Sequence, residues 1–454
     1  MKAKYTNIIG CVAMMALAAS CSNSEYDYDH LFPEEYHKVV YINEDQDESF
    51  VIYDADEPHT DTITVIKAGS HPQLEGNADI VPCTTEELDS LSKDYAILPS
   101  NCYTLDASVH FASNIRYAKV PIAYDLDAVK EFMNSYTGSQ KVALALHLTS
   151  SDCTVNEEKQ WYFRRISVEQ PQLSFVTSSE SGSVTLPFTS TETEITTKLS
   201  ITNKWDFNVT LSTASAVEDV ESYNSSKGTS YKLLPADNYS FTSESLMFTS
   251  GTNSVTTKLT YNADNLDINS VYLLPVRMTE SSMVGIELSK NPLYIIIDPK
   301  VTLTTDMLSS PCTEQSEGSL YYLIDNDAST FWHSVWKTTY YNDDYGHYFE
   351  VHLDSPLKQQ LRFDYYTRNQ NSVLPLNITI FVSADGSSWT KLVELDKDKD
   401  NLAEANSSWT SPVYDLPFAI SYLRFSIFKS NNGYTGRTGS SGSVAINGFD
   451  LWGK

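Results

Sequence analysis

Ile324-Asp325-Asn326-Asp327-Ala328-Ser329-Thr330-Phe331-Trp332-His333-Ser334-Val335-Trp336 packs a polar turn, an aromatic pair and a His-x-x-Trp couple into thirteen residues of the C-terminal third of this chain. The short polar side chains from Asp325 to Thr330 hydrogen-bond their own backbone and so build a tight turn. Phe331-Trp332 is an aromatic pair, and Trp332 reads as a core plug rather than a ligand contact. His333 and Trp336 follow, spaced as His-x-x-Trp. The turn could bury either one, or hold both rigidly at a domain surface.

Outward from this loop the chain alternates apolar and polar residues over short runs separated by Ser, Thr, Asn, Asp and Gly, as half-buried strands do. Ile195 to Ile201 and Ser254 to Tyr261 are representative. A helix is expected over Asp125 to Tyr136, where Leu126, Val129, Phe132 and Met133 share a face behind an Asp start. The chain is otherwise all-β. Its 454 residues exceed one core and predict three domains of roughly 150 residues each.

The first two-thirds repeats itself. Tyr95-Ala96-Ile97-Leu98-Pro99-Ser100-Asn101-Cys102-Tyr103-Thr104-Leu105 recurs as Tyr231-Lys232-Leu233-Leu234-Pro235-Ala236-Asp237-Asn238-Tyr239-Ser240-Phe241. Each copy follows a short acidic helical piece, Glu86 to Leu91 or Glu218 to Tyr223. Each precedes an apolar run ending in Leu148-Thr149 or Met278-Thr279. Two copies in the same order indicate duplicated domains, with Pro171 and Pro299 at the joins, where a residue that cannot donate to a ladder belongs.

At the N-terminus, Lys2 and Lys4 precede an apolar run from Ile8 to Ala19, too short to span a bilayer, and then Ala18-Ala19-Ser20-Cys21. Residues 1–20 are read as an export signal, and 21–36 as a flexible polar and acidic tether. The signal resembles that of bacterial lipoproteins, although Leu17 stands one step before the usual position. That resemblance implies lipidation at Cys21 and an outer-membrane anchor, and the acidic stretch after Cys21 resembles the surface-export signal of Bacteroidota lipoproteins. The net charge of −28 becomes −30 once Lys2 and Lys4 leave with the signal. Such a chain is repelled by nucleic acid and anionic lipid. Cys83, Cys102, Cys153 and Cys312 match no metal motif in their spacing. Export permits disulfides, and a Cys83–Cys102 bridge would lie within the first domain, but connectivity cannot be read from sequence.

Residues 300–454 resemble the discoidin family, or coagulation factor 5/8 type C domains, whose sugar-binding branch is the family-32 carbohydrate-binding modules. Five motifs in order carry the resemblance: Ile324 to Trp332, Tyr348 to Leu353, Ile380 to Trp389, Ser421 to Ile427 and Phe449 to Gly453. The resemblance implies a jelly-roll β-sandwich with ligands held in loops at one end. From Val301 onward this segment has 11 Lys and Arg against 18 Asp and Glu, a net of −7, which disfavours anionic lipid. One face of a pyranose packs on an aromatic ring while its hydroxyls need fixed donors and acceptors. In galactose-binding relatives a His-x-x-Trp and an Arg after a strand do this work. The matching residues are His333, Trp336 and Arg368, with Asn371 adding an amide and Glu317 in the place of an acidic partner. Tyr434 is either a second platform or a mobile surface ring. The family also holds a structural calcium beside the turn, for which Asp327 and Thr330 are available. Gly448 stands where the family has a Glu, so one hard ligand is missing. No cofactor is required.

Residues 37–170 and 171–299 resemble the immunoglobulin-like domain of unknown function at the N-terminus of Bacteroidota surface glycan-processing lipoproteins, including endo-β-N-acetylglucosaminidases. Tyr223-Asn224, Leu234-Pro235, Tyr239 and Leu274-Pro275 give the second copy the fuller pattern. The resemblance implies a scaffold. The expected fold is therefore two immunoglobulin-like β-sandwiches followed by a discoidin-type jelly-roll β-sandwich. No H-E-x-x-H or G-x-S-x-G appears, and three such domains leave no room for a catalytic barrel. The expected function is a non-catalytic surface glycan-binding lipoprotein that captures galactose- or N-acetylhexosamine-containing glycans beside an outer-membrane importer in polysaccharide utilisation. The alternatives are an adhesin that uses the discoidin domain on a protein partner, or an accessory protein to a glycosidase.

Overall fold

The computed structural model describes residues 32–45, 47–179 and 182–454. The export signal, the lipidation position Cys21 and most of the tether lie outside them. The chain forms two compact units, one ending at Pro171 and including Met283–Ile286, the other made of Gln172–Ser282 and Glu287–Lys454.

In the first unit two sheets face each other. One runs, in spatial order, Thr154–Val155, Val39–Ile42, Thr60–Ala68, Tyr117–Tyr124 and Tyr103–Leu105. The other runs Glu48–Tyr53, Trp161–Glu169, Lys141–Thr149, Gly76–Pro82 and Ser108–Phe111, with Tyr95–Ile97 beside Lys141–Thr149. The helix Leu126–Ser135 starts where expected: Asp125 caps it by accepting the Ala128 amide at 3.0 Å. A shorter helix, Thr85–Ser90, opens with a capping box between Thr84 and Glu87. The Cys83–Cys102 bridge weighed from sequence does not form, and all four described cysteines are free thiols. Cys83 packs with Leu88, Ala145 and Phe163, whereas Cys102 belongs to the main core with Tyr103 and Val129.

The second unit begins with a sandwich of the same strand order. Tyr239–Phe241, Ser254–Tyr261, Glu192–Leu199, Gln172–Phe175 and Glu287–Leu288 form one sheet. Ser183–Pro187, Leu293–Asp298, Tyr272–Ser281, Phe207–Ser212 and Ser245–Phe248 form the other, with Lys232–Leu233 again beside the central strand. The two alternating runs read from sequence are neighbours here, antiparallel with Ile195 opposite Thr257. The helical piece is longer than expected, Ala216–Lys227, and stops at Gly228 with φ of 67°, a left-handed cap that glycine adopts without strain.

The same unit ends in a third sandwich. Its first sheet is Leu308–Ser309, His347–Leu357, Ile420–Ile427, Asn377–Ser383 and Thr390–Asp396. The facing sheet is Trp332–His333, Ala445–Gly453, Gln360–Thr367 and Ser408–Thr410. Between them Phe349 stacks on Phe425 at 5.0 Å and meets Phe449 and Trp332 edge-on at 5.1 and 5.4 Å. Edge-to-face pairs of this kind favour one arrangement beyond simple burial. Trp332, fully buried, is the core plug expected from its place after the turn.

Candidate functional site

The turn before Trp332 closes on itself. Asp325 accepts the Asp327 amide through Oδ1 (3.0 Å) and the Thr330 hydroxyl through Oδ2 (2.7 Å). Asp327 Oδ1 accepts the Ser329 hydroxyl and amide at 2.6 and 2.8 Å, which holds its carboxyl below the usual range. Asn326 sits at φ of 57°, which Asn tolerates better than most residues. Trp332 then drops into the core and donates its indole N–H to Thr313 Oγ1 at 2.9 Å.

His333 and Trp336 leave this anchor in opposite senses. His333 is 4% exposed and Trp336 is 50% exposed, so the turn buries one and presents the other. Gly318, at φ of 87°, lies flush against His333: a Cβ there would stand 2.4 Å from the His333 nitrogen. His333 Nδ1 lies 2.6 Å from the Ser334 carbonyl. A carbonyl only accepts, so Nδ1 carries the proton and Nε2 is left as a bare acceptor. Burial lowers the His333 pKa and the nearby Arg368 lowers it further, against Ser334, Glu317 and Glu314, so the ring is neutral. Ser334 Oγ lies 2.9 Å from His347 Nδ1 and accepts the Val444 amide at 2.9 Å, tying the loop to the two strands behind it.

Trp336 is held from three sides. Its indole N–H donates to Glu317 Oε1 at 3.0 Å. Lys337 Nζ stands 4.7 Å from its ring centroid and donates to Ser316 Oγ at 2.7 Å. Beneath it Glu314, 5% exposed, accepts the Trp336 and Lys337 amides on Oε2 (3.3 and 3.1 Å). Glu314 Oε1 takes the amide and hydroxyl of Ser316 at 3.3 and 3.0 Å. Burial pushes that carboxyl up, but the backbone amides of Lys337, Trp336 and Ser316 outweigh it and hold the pKa down at about 2. The result is a rigid, half-open indole.

Arg368 lies beside this group. Its guanidinium stacks 3.6 Å from the Phe331 ring centroid, and Phe331 meets His333 edge-on at 6.1 Å. His333, Trp336, Glu317 and Arg368 are thereby gathered into one patch. Asn371 and Tyr434 belong to a second loop pair, in which the Asn371 carbonyl accepts from Asn431 Nδ2 at 2.8 Å. Tyr434, 45% exposed, ends the short hairpin after Lys429, with Arg437 4.4 Å from its ring centroid. Sequence reasoning missed Glu314, Lys337 and Phe331. Phe331 alone carried a signal, its place next to the core tryptophan.

The donor set beside the turn lacks one carboxylate of the calcium site expected from the resemblance. Thr330 Oγ1 donates to Asp325, and one Asp327 oxygen already takes two donors. Asn447 Nδ2 donates to the Ala328 carbonyl at 2.6 Å, and Asn447 Oδ1 is buried with no hydrogen-bond partner. Gly448 supplies no side chain, and one built there would meet the Tyr366 ring. A cavity of about 510 Å³ has Pro187, Asp298, Met307, Leu353 and Phe449 in its walls and none of the expected sugar contacts.

A family model described as an N-terminal domain matches residues 34–153 and again 163–285, more than half of the sequence. The chain belongs to this N-terminal-domain family. The model of the F5/8 type C domain matches residues 308–439, the segment that carries the turn, Trp336 and Arg368. No curated protein matches. Among solved structures, the chain is similar to a two-domain protein of unknown function from Bacteroides fragilis, at 15% identity, covering 62% of this chain and 94% of that one, with a TM-score of 0.27. It is similar to a family-32 carbohydrate-binding module from a family 31 glycoside hydrolase of Clostridium perfringens, at 18% identity, 34% and 94% coverage and a TM-score of 0.25. EndoBT-3987 of Bacteroides thetaiotamicron, solved with a Man5GlcNAc product, is 21% identical over 26% of this chain and 28% of its own, with a TM-score of 0.23. As a member of the N-terminal-domain family, this chain carries two copies of that domain ahead of an F5/8 type C domain.

Proposed function

We propose that the protein is a non-catalytic glycan-binding lipoprotein, anchored to the outer membrane through Cys21, with its C-terminal domain facing the cell exterior. That domain captures galactose- or N-acetylhexosamine-containing glycans for a polysaccharide-utilisation system with an outer-membrane importer. The observation that carries the reading is Trp336, a half-exposed indole whose backbone, ring nitrogen and one face are all fixed by neighbours. A sugar ring stacks on its open side. Arg368 donates to hydroxyls, and His333 Nε2 accepts from one. Asn371 and Tyr434 extend the contact toward a second sugar unit. The reading requires no structural calcium.

Affinity per site is on the order of millimolar to micromolar, or roughly 4 to 8 kcal/mol. A glycan array with wild type and Trp336→Ala tests the reading. Galactose-type or N-acetylhexosamine-terminated glycans are expected to bind wild type and not the variant. Equal binding by both removes Trp336 as the platform, and an array on which wild type binds no sugar points to a protein partner instead. The full chain is expected to release no reducing ends from N-glycans or mucin, and turnover above the buffer blank overturns the non-catalytic reading.

A further inference from the structure

The duplicated sandwiches differ at one polar position that the fold treats alike in both. In the second copy, Asp219 on the helix Ala216–Lys227 meets Arg277 on the central strand Tyr272–Ser281. Arg277 Nε and Nη2 donate to its two oxygens at 2.7 and 2.5 Å, and the Ser215 hydroxyl donates to Oδ2 at 3.0 Å. That set is closed: the guanidinium and the Ser215 hydroxyl satisfy the carboxylate, and Arg277 Nη1 donates to the Lys290 carbonyl at 2.6 Å.

In the first copy the corresponding places hold different chemistry. Glu86 to Leu91 aligns with Glu218 to Tyr223, and Leu148-Thr149 with Met278-Thr279, so Glu87 stands for Asp219 and His147 for Arg277. Cys83, just ahead of the helix, completes the group. One atom from each of Cys83, Glu87 and His147 lies within 4.8 Å of the others, and this is the one such group among the described residues. The set is not closed. His147 Nδ1 is 3.6 Å from Glu87 Oε2, too long for a hydrogen bond, and it is buried with no hydrogen-bond partner. Leaving a buried ring nitrogen unpaired costs free energy, and the sister copy shows that the fold accommodates a fully paired alternative.

We propose that Cys83 Sγ, Glu87 and His147 Nδ1 bind a zinc-type divalent cation in the first sandwich. Thiolate, imidazole and carboxylate are the zinc ligand set, and three protein ligands leave a fourth position for water. Thiolate and carboxylate together carry two negative charges, which balance the dication. The geometry is preset: the Cys83 amide donates to the Ala145 carbonyl at 3.0 Å, two residues before His147, and Glu87 is fixed by its capping box with Thr84. Without the ion, burial and then Glu87 push the Cys83 thiol up to about 12, so it stays protonated. The cation displaces that proton to solvent as it binds. Glu87 is partly exposed and provides the entry side.

The test is a CoCl2 titration of the reduced, chelator-stripped full chain, followed by near-ultraviolet thiolate-to-cobalt charge-transfer absorption. One Co2+ per chain is expected, with the band present in wild type and in Cys102→Ser and Cys153→Ser. Cys83→Ser is expected to lose it. His147→Arg rebuilds the ion pair of the sister copy, so it is expected to keep the wild-type circular dichroism spectrum and lose the band. A wild type without the band, or a band that survives His147→Arg or Cys83→Ser, overturns the proposal.

Discussion

Glu314→Gln is the sharpest probe of the idea that Trp336 is preorganised rather than merely exposed. Glu314 is an acceptor-only group with two donors on each oxygen: the Trp336 and Lys337 amides on Oε2, the Ser316 amide and hydroxyl on Oε1. A glutamine of the same shape turns one oxygen into an NH2 group. Turned the better way, its oxygen keeps the Trp336 and Lys337 amides, the Ser316 hydroxyl rotates to accept from the NH2 group, and the Ser316 amide is left facing a donor. One hydrogen bond to a charged group is lost, at about 1.5 to 3 kcal/mol, and the others lose their charge assistance. The local destabilisation is then about 2 kcal/mol. At 1.36 kcal/mol per factor of ten, this is roughly a thirtyfold rise in the opening of the loop. Hydrogen exchange measured by mass spectrometry on the peptide spanning residues 332–340 of the full chain reads it directly. Glu317→Gln is the control, since it touches the indole nitrogen and not the backbone. The pH sign follows from the folded pKa of about 2 against an ordinary value of 4.5. The contribution is present above 4.5 and is lost as pH falls from there toward about 2. Exchange in Glu314→Gln within about threefold of wild type at neutral pH would refute the reasoning.

His347 is 3% exposed, and burial pulls its pKa from 6.5 down to about 4. Its neutral form stabilises the fold above 6.5, and that contribution, about 3 kcal/mol, is lost as pH falls from 6.5 to about 4. Urea unfolding across this range is expected to show the loss in wild type and a flatter profile in His347→Gln; parallel profiles would contradict it. Calcium at millimolar concentration is expected to move the Tm by less than about 1 °C relative to EDTA, since a ligand stabilises only through binding the native state. A Tm that climbs with the logarithm of calcium concentration would return the cation to the turn.

The large architecture was legible because it rests on local rules. The turn from Asp325 to Thr330, the Asp125 cap and the alternating strands each follow from side chains acting within a few residues of themselves. The repeat was legible for the same reason, since both copies of the Leu-Pro segment end in the same short 3-10 turn, Ser100–Cys102 and Ala236–Asn238. The split between His333 and Trp336 was not legible. It depends on Gly318, fifteen residues upstream, pressing on His333, and on Glu314 gripping backbone twenty-two residues away. Nothing in Glu314-Gln315-Ser316-Glu317 says which acid will be buried and which will reach the indole. Arg368 is expected from its position after a strand, but its seat on Phe331 is a tertiary contact that no spacing encodes.

Lys337 covers one face of the Trp336 ring. On the proposed reading, an indole with a single open face stacks one sugar ring and cannot sandwich a chain between two such faces. If the domain is displayed on a surface as proposed, retention of a long glycan depends on how many copies lie within reach of the same polymer. The second contact becomes intramolecular, and its effective concentration is set by spacing rather than by any added bond. A weak, fast-releasing hold at each point would let a polymer be kept at the surface yet passed from copy to copy, which a single tight site would prevent.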